Sequence, residues 1–218
     1  MDSARARKTV QLTAAAVALG LVVAGCGSDD SKSSSSSTSS SSTSTTSAVA
    51  SATSTETSAA PAAKDYTTLL IKPEDIPATP DGPFVAVDEA KVSTTPPPTD
   101  VSRNFKSGPN VINASVVING SAAEAATWLG GVAASLPTHQ TGTPVPVPSV
   151  TPDATLTTGT DPENKHASSA LLFTVDNYSS MILFVSPDGD LNPVPQDYVE
   201  SVGKAQVAAI QAAAPGLK

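Results

Sequence analysis

Basic residues are scarce in this chain, aromatic residues are scarcer still, and cysteine occurs once. Twelve Lys or Arg stand against 20 Asp or Glu in 218 residues, a formal charge of −8. Beyond Cys26 the imbalance widens to nine basic against 19 acidic residues, or −10. A surface that neutralises phosphates is thereby excluded, and with it nucleic-acid binding and a polybasic grip on anionic lipid. One cysteine closes no disulfide within the chain and builds no thiolate metal site. Aromatic residues make up 4%, with a single tryptophan, Trp128, and no proline precedes Pro61. The longest apolar run, Val10 to Val23, has 14 residues and is interrupted by Gln11, Thr13 and Gly20. That is short of the ~20 residues a spanning helix needs. No G-x-S-x-G elbow, Gly-rich phosphate loop or H-E-x-x-H is present, so no catalytic residue and no cofactor is indicated. His139 and His166 both fall in predicted loops without a partner at metal-ligand spacing, and read as solvated side chains with no metal.

What is present begins with an address. Arg5, Arg7 and Lys8 precede the apolar run, which closes on Val23-Ala24-Gly25-Cys26. A charged start, a short apolar stretch and small residues before a cut describe an export signal over residues 1–25. Small residues before a cysteine resemble the lipobox of bacterial lipoproteins. The resemblance implies that Cys26 carries the lipid as the first residue of the mature chain, leaving no thiol for other chemistry. Residues 26–63 then form a tether: residues 28–63 hold 23 Ser or Thr and no aromatic residue. Such a segment buries too little to offset its conformational entropy, and is expected to be a disordered spacer and a possible carrier of O-glycans.

Residues 64–218 are expected to form a single extracytoplasmic domain of ordinary size. Prolines 73, 77, 80 and 83 keep its start irregular. Phe84 to Val92 reads as one strand, followed by the stiff Pro96-Pro97-Pro98 and a strand over Val101 to Lys106. Val111 to Asn119 carries Val111, Ile112, Val116, Val117 and Ile118, a β-branched cluster that predicts a strand covered on both faces. Ser121-Ala122-Ala123-Glu124 is a capping box opening a helix over Ser121 to Leu136. Its stripe of Ala122, Ala125, Ala126, Leu129, Val132, Ala133 and Leu136 is unusually small, and Gly130-Gly131 within it predicts close approach to a neighbour, a kink or an end. Thr143 to Val150 alternates proline and valine, as polyproline II or a sheet edge would. Ala154 to Gly159 is a short strand, and Ala167 to Asp176 with Met181 to Ser186 is a hairpin, with Leu171, Phe173 and Val175 on one face. A last helix over Gln196 to Ala213 presents Val199, Val202, Gln206, Ala209, Ile210 and Ala213, and Pro215-Gly216 stops it. The expected fold class is α+β: an antiparallel sheet with two amphipathic helices packed on it.

Carboxylates pair along the chain, among them Asp161 with Glu163 and Asp188 with Asp190, the latter at a turn that lacks the remaining ligands of a calcium loop. The small stripe allows a gap between first helix and sheet, into which an acyl chain could pass. Its candidate ligand-binding residues are Ala125, Trp128, Leu129, Leu171 and Phe173.

The charged start, Val23-Ala24-Gly25-Cys26, the Ser/Thr tether and the acidic Ala/Pro/Val-rich domain together resemble cell-envelope lipoproteins of mycobacteria and related actinobacteria. Val194 to Gln206 is also similar to the last helix of that group. The resemblance implies a protein held by Cys26 on the outer face of the cell membrane, and a monomer is expected. It names no activity. The expected function is binding of a lipid, a glycan or an envelope protein without catalysis, with a carboxylate-based hydrolase of a wall component or a pocketless interaction module as alternatives.

Overall fold

Residues 64–93 and 100–217 are described by the computed structural model. The export signal, Cys26, the tether, Pro96-Pro97-Pro98 and Lys218 lie outside the described residues. The fold is α+β, with all strands in one antiparallel sheet. In chain order the strands are β1 (Val85–Ala86), β2 (Lys91–Val92), β3 (Asp100–Ser107), β4 (Asn110–Ile118), β5 (Pro144–Pro146), β6 (Thr155–Asp161), β7 (His166–Val175) and β8 (Tyr178–Val185). Helix α1 is Ala122–Ser135 and α2 is Gln196–Ala213. The order across the sheet is β1-β3-β4-β8-β7-β6-β5, with β2 pairing β3 on the same side as β1.

The strand expected over Phe84 to Val92 is therefore two short ones, each paired to a different end of β3. The Pro/Val alternation does become a sheet edge, β5, where missing proline N–H groups do least harm. The predicted hairpin is β7–β8, closed by the two residues Asp176 and Asn177 between the pair Val175 and Tyr178. Asp176 takes φ +52°, a left-handed conformation that short polar side chains tolerate in such turns.

Alternation assigns the two faces of the sheet. On one, Ile112, Ala114, Val116, Leu171, Phe173, Ile182 and Phe184 are buried together with Val199, Val202 and Ile210 of α2. The leading segment, with a 3₁₀ turn at Tyr66–Leu69, lays Leu69, Leu70 and Ile71 into the same core. On the other face Ala170 and Leu172 pack under Leu129 and Leu136. The first face thus has two covers, α2 and the leading segment. The second has α1, which lies over β7 and β8, and the turn after it, whose buried Gln140 bonds to Thr157 of β6 and Ser168 of β7. The strand predicted to be covered on both faces, β4, is buried only at Ile112, Ala114 and Val116; Val111, Asn113, Ser115 and Val117 are half-buried. Its β-branched residues on the second face stabilise an extended backbone without meeting a helix.

Ser121 caps α1 as expected, its Oγ accepting from the Glu124 N–H at 3.2 Å. The Glu124 carboxylate reaches back to the Gly120 N–H at 3.0 Å, one residue earlier than the standard box. The helix runs through Gly130 and Gly131 without interruption. Both are exposed, and a Cβ at either would meet nothing within 4 Å. Neither close approach nor a helix end explains them; they are solvent-facing interior positions of low propensity. Gly130→Ala and Gly131→Ala are each expected to stabilise the domain by about 1 kcal/mol and raise Tm by about 3 °C in a thermal melt. An unchanged or lower Tm for both would show that the glycines serve some contact.

Helix α2 has the predicted bounds, and its buried stripe includes a glycine, which helix interiors disfavour, and a glutamine, a good helix former that is seldom fully buried. Gly203 sits where a Cβ would stand 2.6 Å from Leu171 Cδ2 and 3.1 Å from Val150, so the glycine sets how closely α2 meets β7. Gln206 is fully buried. Its Oε1 accepts from the Ile71 N–H at 2.9 Å and its Nε2 donates to the Leu69 carbonyl at 2.6 Å, pairing with the leading segment as a neighbouring strand would.

Near the start of α2 the Tyr198 hydroxyl donates to the Pro77 carbonyl at 2.7 Å, and its ring meets Phe184 edge to face with centroids 6.4 Å apart. Burial pushes the Tyr198 phenol up to about 12. An unfolded tyrosine ionises near 10, so between pH 10 and about 12 the unfolded chain releases a proton that the folded chain keeps. The contribution is complete below pH 10 and is lost as pH rises through that window. Absorbance titration near ~295 nm should show Tyr198 ionising late, and Tyr198→Phe should remove its share of the alkaline loss. Ionisation of Tyr198 at pH 10 would contradict this.

Candidate ligand-binding site

Because α1 covers only β7 and β8, the second face is open over β3 and β4. Register aligns its side chains in rows. Ser102 lies opposite Ser115, which lies opposite Met181; Asn104 lies opposite Asn113, which lies opposite Leu183. The first row, with Asn113 of the second, floors a depression of about 780 Å³, walled by Trp128 and Glu124 of α1 and bounded by Asn119 and Asp100. Trp128 and Met181 are half-buried, packed against the Leu129 cluster on one side and lining the depression on the other.

The polar groups on the floor hold one another in place. Asn113 Nδ2 donates to Asn104 Oδ1 at 2.8 Å, and Ser115 Oγ donates to the Met181 carbonyl at 3.3 Å. Asn119 Nδ2 donates to the Asn177 carbonyl and to Ser179 Oγ, while Asn177 Nδ2 returns a bond of 2.7 Å to the Asn119 carbonyl. That lattice fixes the chain as it leaves β4 and enters α1. It therefore fixes where Trp128 stands. Among the described residues, those lining the depression include two carboxylates and no Lys, Arg or His. Such a shelf offers an indole face, a thioether, amides and hydroxyls to a ligand lying across it.

Of the five residues expected to line a common pocket, the structure separates two from the rest. Ala125, Trp128 and Leu129 belong to α1 and the second face. Leu171 and Phe173 point to the other face, fully buried under α2. Adjacent residues of β7 face opposite ways, so the neighbours of α1 are Ala170 and Leu172. The acyl-chain gap suggested by small side chains is not what lies under α1. Ala122 and Ala126 are exposed, while Ala125, Leu129 and Leu136 are buried against the sheet. Ser102, Asn104, Asn113 and Ser115 were not among the expected site residues. Their signal is the polar pair Ser102 and Asn104, two residues apart on β3, together with amide and hydroxyl interruptions in the β-branched run of β4.

The histidines part company. His139 is exposed after α1. His166 is not a solvated loop residue: it opens β7 with its side chain 12% exposed, Nε2 lying 3.9 Å from Asp161 and Nδ1 3.8 Å from Asp188. The Asp161 carboxylate is held below its ordinary range, first by the bond from the Asn164 side chain, then by the Asn164 and Glu163 N–H groups and nearby His166. Among the described residues no group of three or more His, Cys, Asp or Glu is placed to hold a metal ion, and no helix is long and apolar enough to cross a membrane.

Comparison with family models, with curated proteins and with solved structures finds no match to this chain.

Proposed function

We propose that this chain is a lipid-anchored cell-envelope protein, held by Cys26 on the outer face of the cell membrane, whose domain binds a neutral glycan without catalysis. The observation that carries the reading is the half-buried indole of Trp128 beside an uncovered sheet face of ordered amides and hydroxyls. Sugars present C–H faces that lie against an indole and hydroxyls that pair with amides and serines. The absence of a basic residue among the described lining disfavours anionic polymers, and the open form of the depression suits a stretch of chain more than an enclosed small molecule. The anchor is supported by Val23-Ala24-Gly25-Cys26 and the apolar run before it.

Trp128 is the only tryptophan, so its emission reports directly on this shelf. Titration of the full chain with soluble neutral oligosaccharides of arabinose, galactose, glucose and mannose should shift that emission for at least one of them. Calorimetry should show at least a tenfold loss of affinity for Trp128→Ala. If no oligosaccharide moves the emission, or Trp128→Ala binds as the unaltered chain does, glycan binding at this site is wrong. A carboxylate hydrolase is the second reading, because Asp100 and Glu124 line the same depression. Reducing ends released during the same incubations, and lost in Glu124→Gln and Asp100→Asn, would establish it.

A further inference from the structure

On the other face of the sheet, at the end where β4 begins and β8 finishes, lies a cleft of about 500 Å³ that the glycan reading leaves unused. Its deepest lining is aromatic and aliphatic: Phe84, Ile112 and Phe184, each 3% exposed or less, with the half-buried Tyr198 beside them. Three carboxylates, Asp81, Asp190 and Asp197, also line it, and among the described residues no Lys, Arg or His does.

Both walls are ordered before any ligand arrives. The Thr79–Gly82 turn closes on itself through Thr79 N–H to Gly82 O at 3.0 Å and Gly82 N–H to Thr79 O at 2.9 Å. Ser107 Oγ ties that turn to the end of β3 by donating to Gly82 O at 2.8 Å, and Asn110 Nδ2 donates to Asp81 at 3.0 Å. Opposite, Asp190 accepts from the N–H and Nδ2 of Asn192, and Ser186 Oγ donates to the Asn192 carbonyl at 3.1 Å. The Tyr198 hydroxyl is already satisfied by Pro77, so the ring is offered to a ligand as a face or edge and not as a donor.

We propose that this cleft binds a small organic cation: an ammonium group held among Asp81, Asp190 and Asp197, with an aryl or alkyl body against Phe84, Phe184 and Tyr198. The volume lies within the range of sites for single small ligands, and ordered walls spare the cost of arranging them. Carboxylates supply the charge complementarity, and aromatic rings attract a cation through their faces. A protein partner's lysine would bring the same charge but no aryl body to lie against the apolar lining.

The test uses the full chain in discs of zwitterionic lipid, with saturation-transfer NMR of three probes of similar shape: 2-phenylethylammonium, 2-phenylethanol and 3-phenylpropionate. The ammonium should bind at least tenfold more tightly than the carboxylate, with the alcohol between, and the preference should shrink with added salt. The combined replacement Asp81→Asn, Asp190→Asn and Asp197→Asn keeps every acceptor oxygen used by the walls and should reduce that preference to less than twofold. Partition into lipid is common to both chains and cancels. Asp197→Asn alone, which leaves both closed turns untouched, should cut the preference about threefold and serves if the triple variant melts early. Equal binding of ammonium and carboxylate by the unaltered chain would overturn the proposal, as would full preference retained in the triple variant. Binding of a lysine-rich peptide with none of the ammonium would overturn it in favour of a protein partner. The glycan titration reports on the opposite face, so either result leaves the other standing.

Discussion

Replacing Gln206 with leucine is expected to destabilise the domain by about 3–5 kcal/mol, although leucine is the better helix former and the more apolar residue. The amide of Gln206 answers both the Ile71 N–H and the Leu69 carbonyl, and both of those residues are fully buried. Leucine would leave a donor and an acceptor unpaired where water cannot reach them, each at about 1–3 kcal/mol. Urea unfolding followed by far-UV circular dichroism measures the loss as a lower midpoint at unchanged slope. A loss under about 1 kcal/mol would mean that the leading segment is not held by this side chain. Gln206→Glu gives a second reading of the same site, since a carboxylate keeps the acceptor and loses the donor to Leu69. It should be destabilising at neutral pH and less so at acidic pH, where a protonated carboxyl donates again.

Phe173→Ala should cost about 3–5 kcal/mol and leave the glycan shelf of the folded molecules intact. Phe173 is fully buried in the core under α2 and touches neither the shelf nor α1. A residue that lined the ligand would do the reverse, with little loss of stability and a large loss of binding. Measuring unfolding and the Trp128 emission response on one preparation separates the two. Weakened glycan binding with unchanged stability would show that the two faces of the sheet communicate.

The sequence carries the parts of this fold that depend on period and punctuation. The β7–β8 hairpin is legible because Leu171, Phe173 and Val175 alternate with smaller residues and the turn falls on Asp176-Asn177. The bounds of α2 follow from Pro195 before it and Pro215-Gly216 after it. Ser121 and Glu124 mark the start of α1 because their side chains answer backbone groups that any helix leaves open. Assignment of faces is not legible in the same way. A period of two places Leu171 and Phe173 together but does not say which helix covers them. β4 reads as doubly covered because Val111 and Val117 resemble core residues, yet coverage depends on which elements reach that strand, and on the second face α1 and the turn after it lie over β6, β7 and β8. Gly130 and Gly131 show a related ambiguity: the lack of a side chain is the same whether a neighbour or solvent fills the space. Trp128 was identifiable because it is unique. Its polar companions on β3 and β4 become a site only once the sheet aligns them.

The bond between Gln206 and residues 69 and 71 also sets an order of assembly. The segment it holds is the first part of the domain to be synthesised, and the helix that supplies the amide is among the last, some 137 residues later. Until that helix arrives, Leu69, Leu70 and Ile71 have no finished core to enter, while the β3–β4 and β7–β8 hairpins close over short distances. The domain therefore cannot close its core before α2 has emerged. Its leading strip must be kept from other hydrophobic surfaces until then, and a truncation before Gln206 should yield a product that aggregates through its front end.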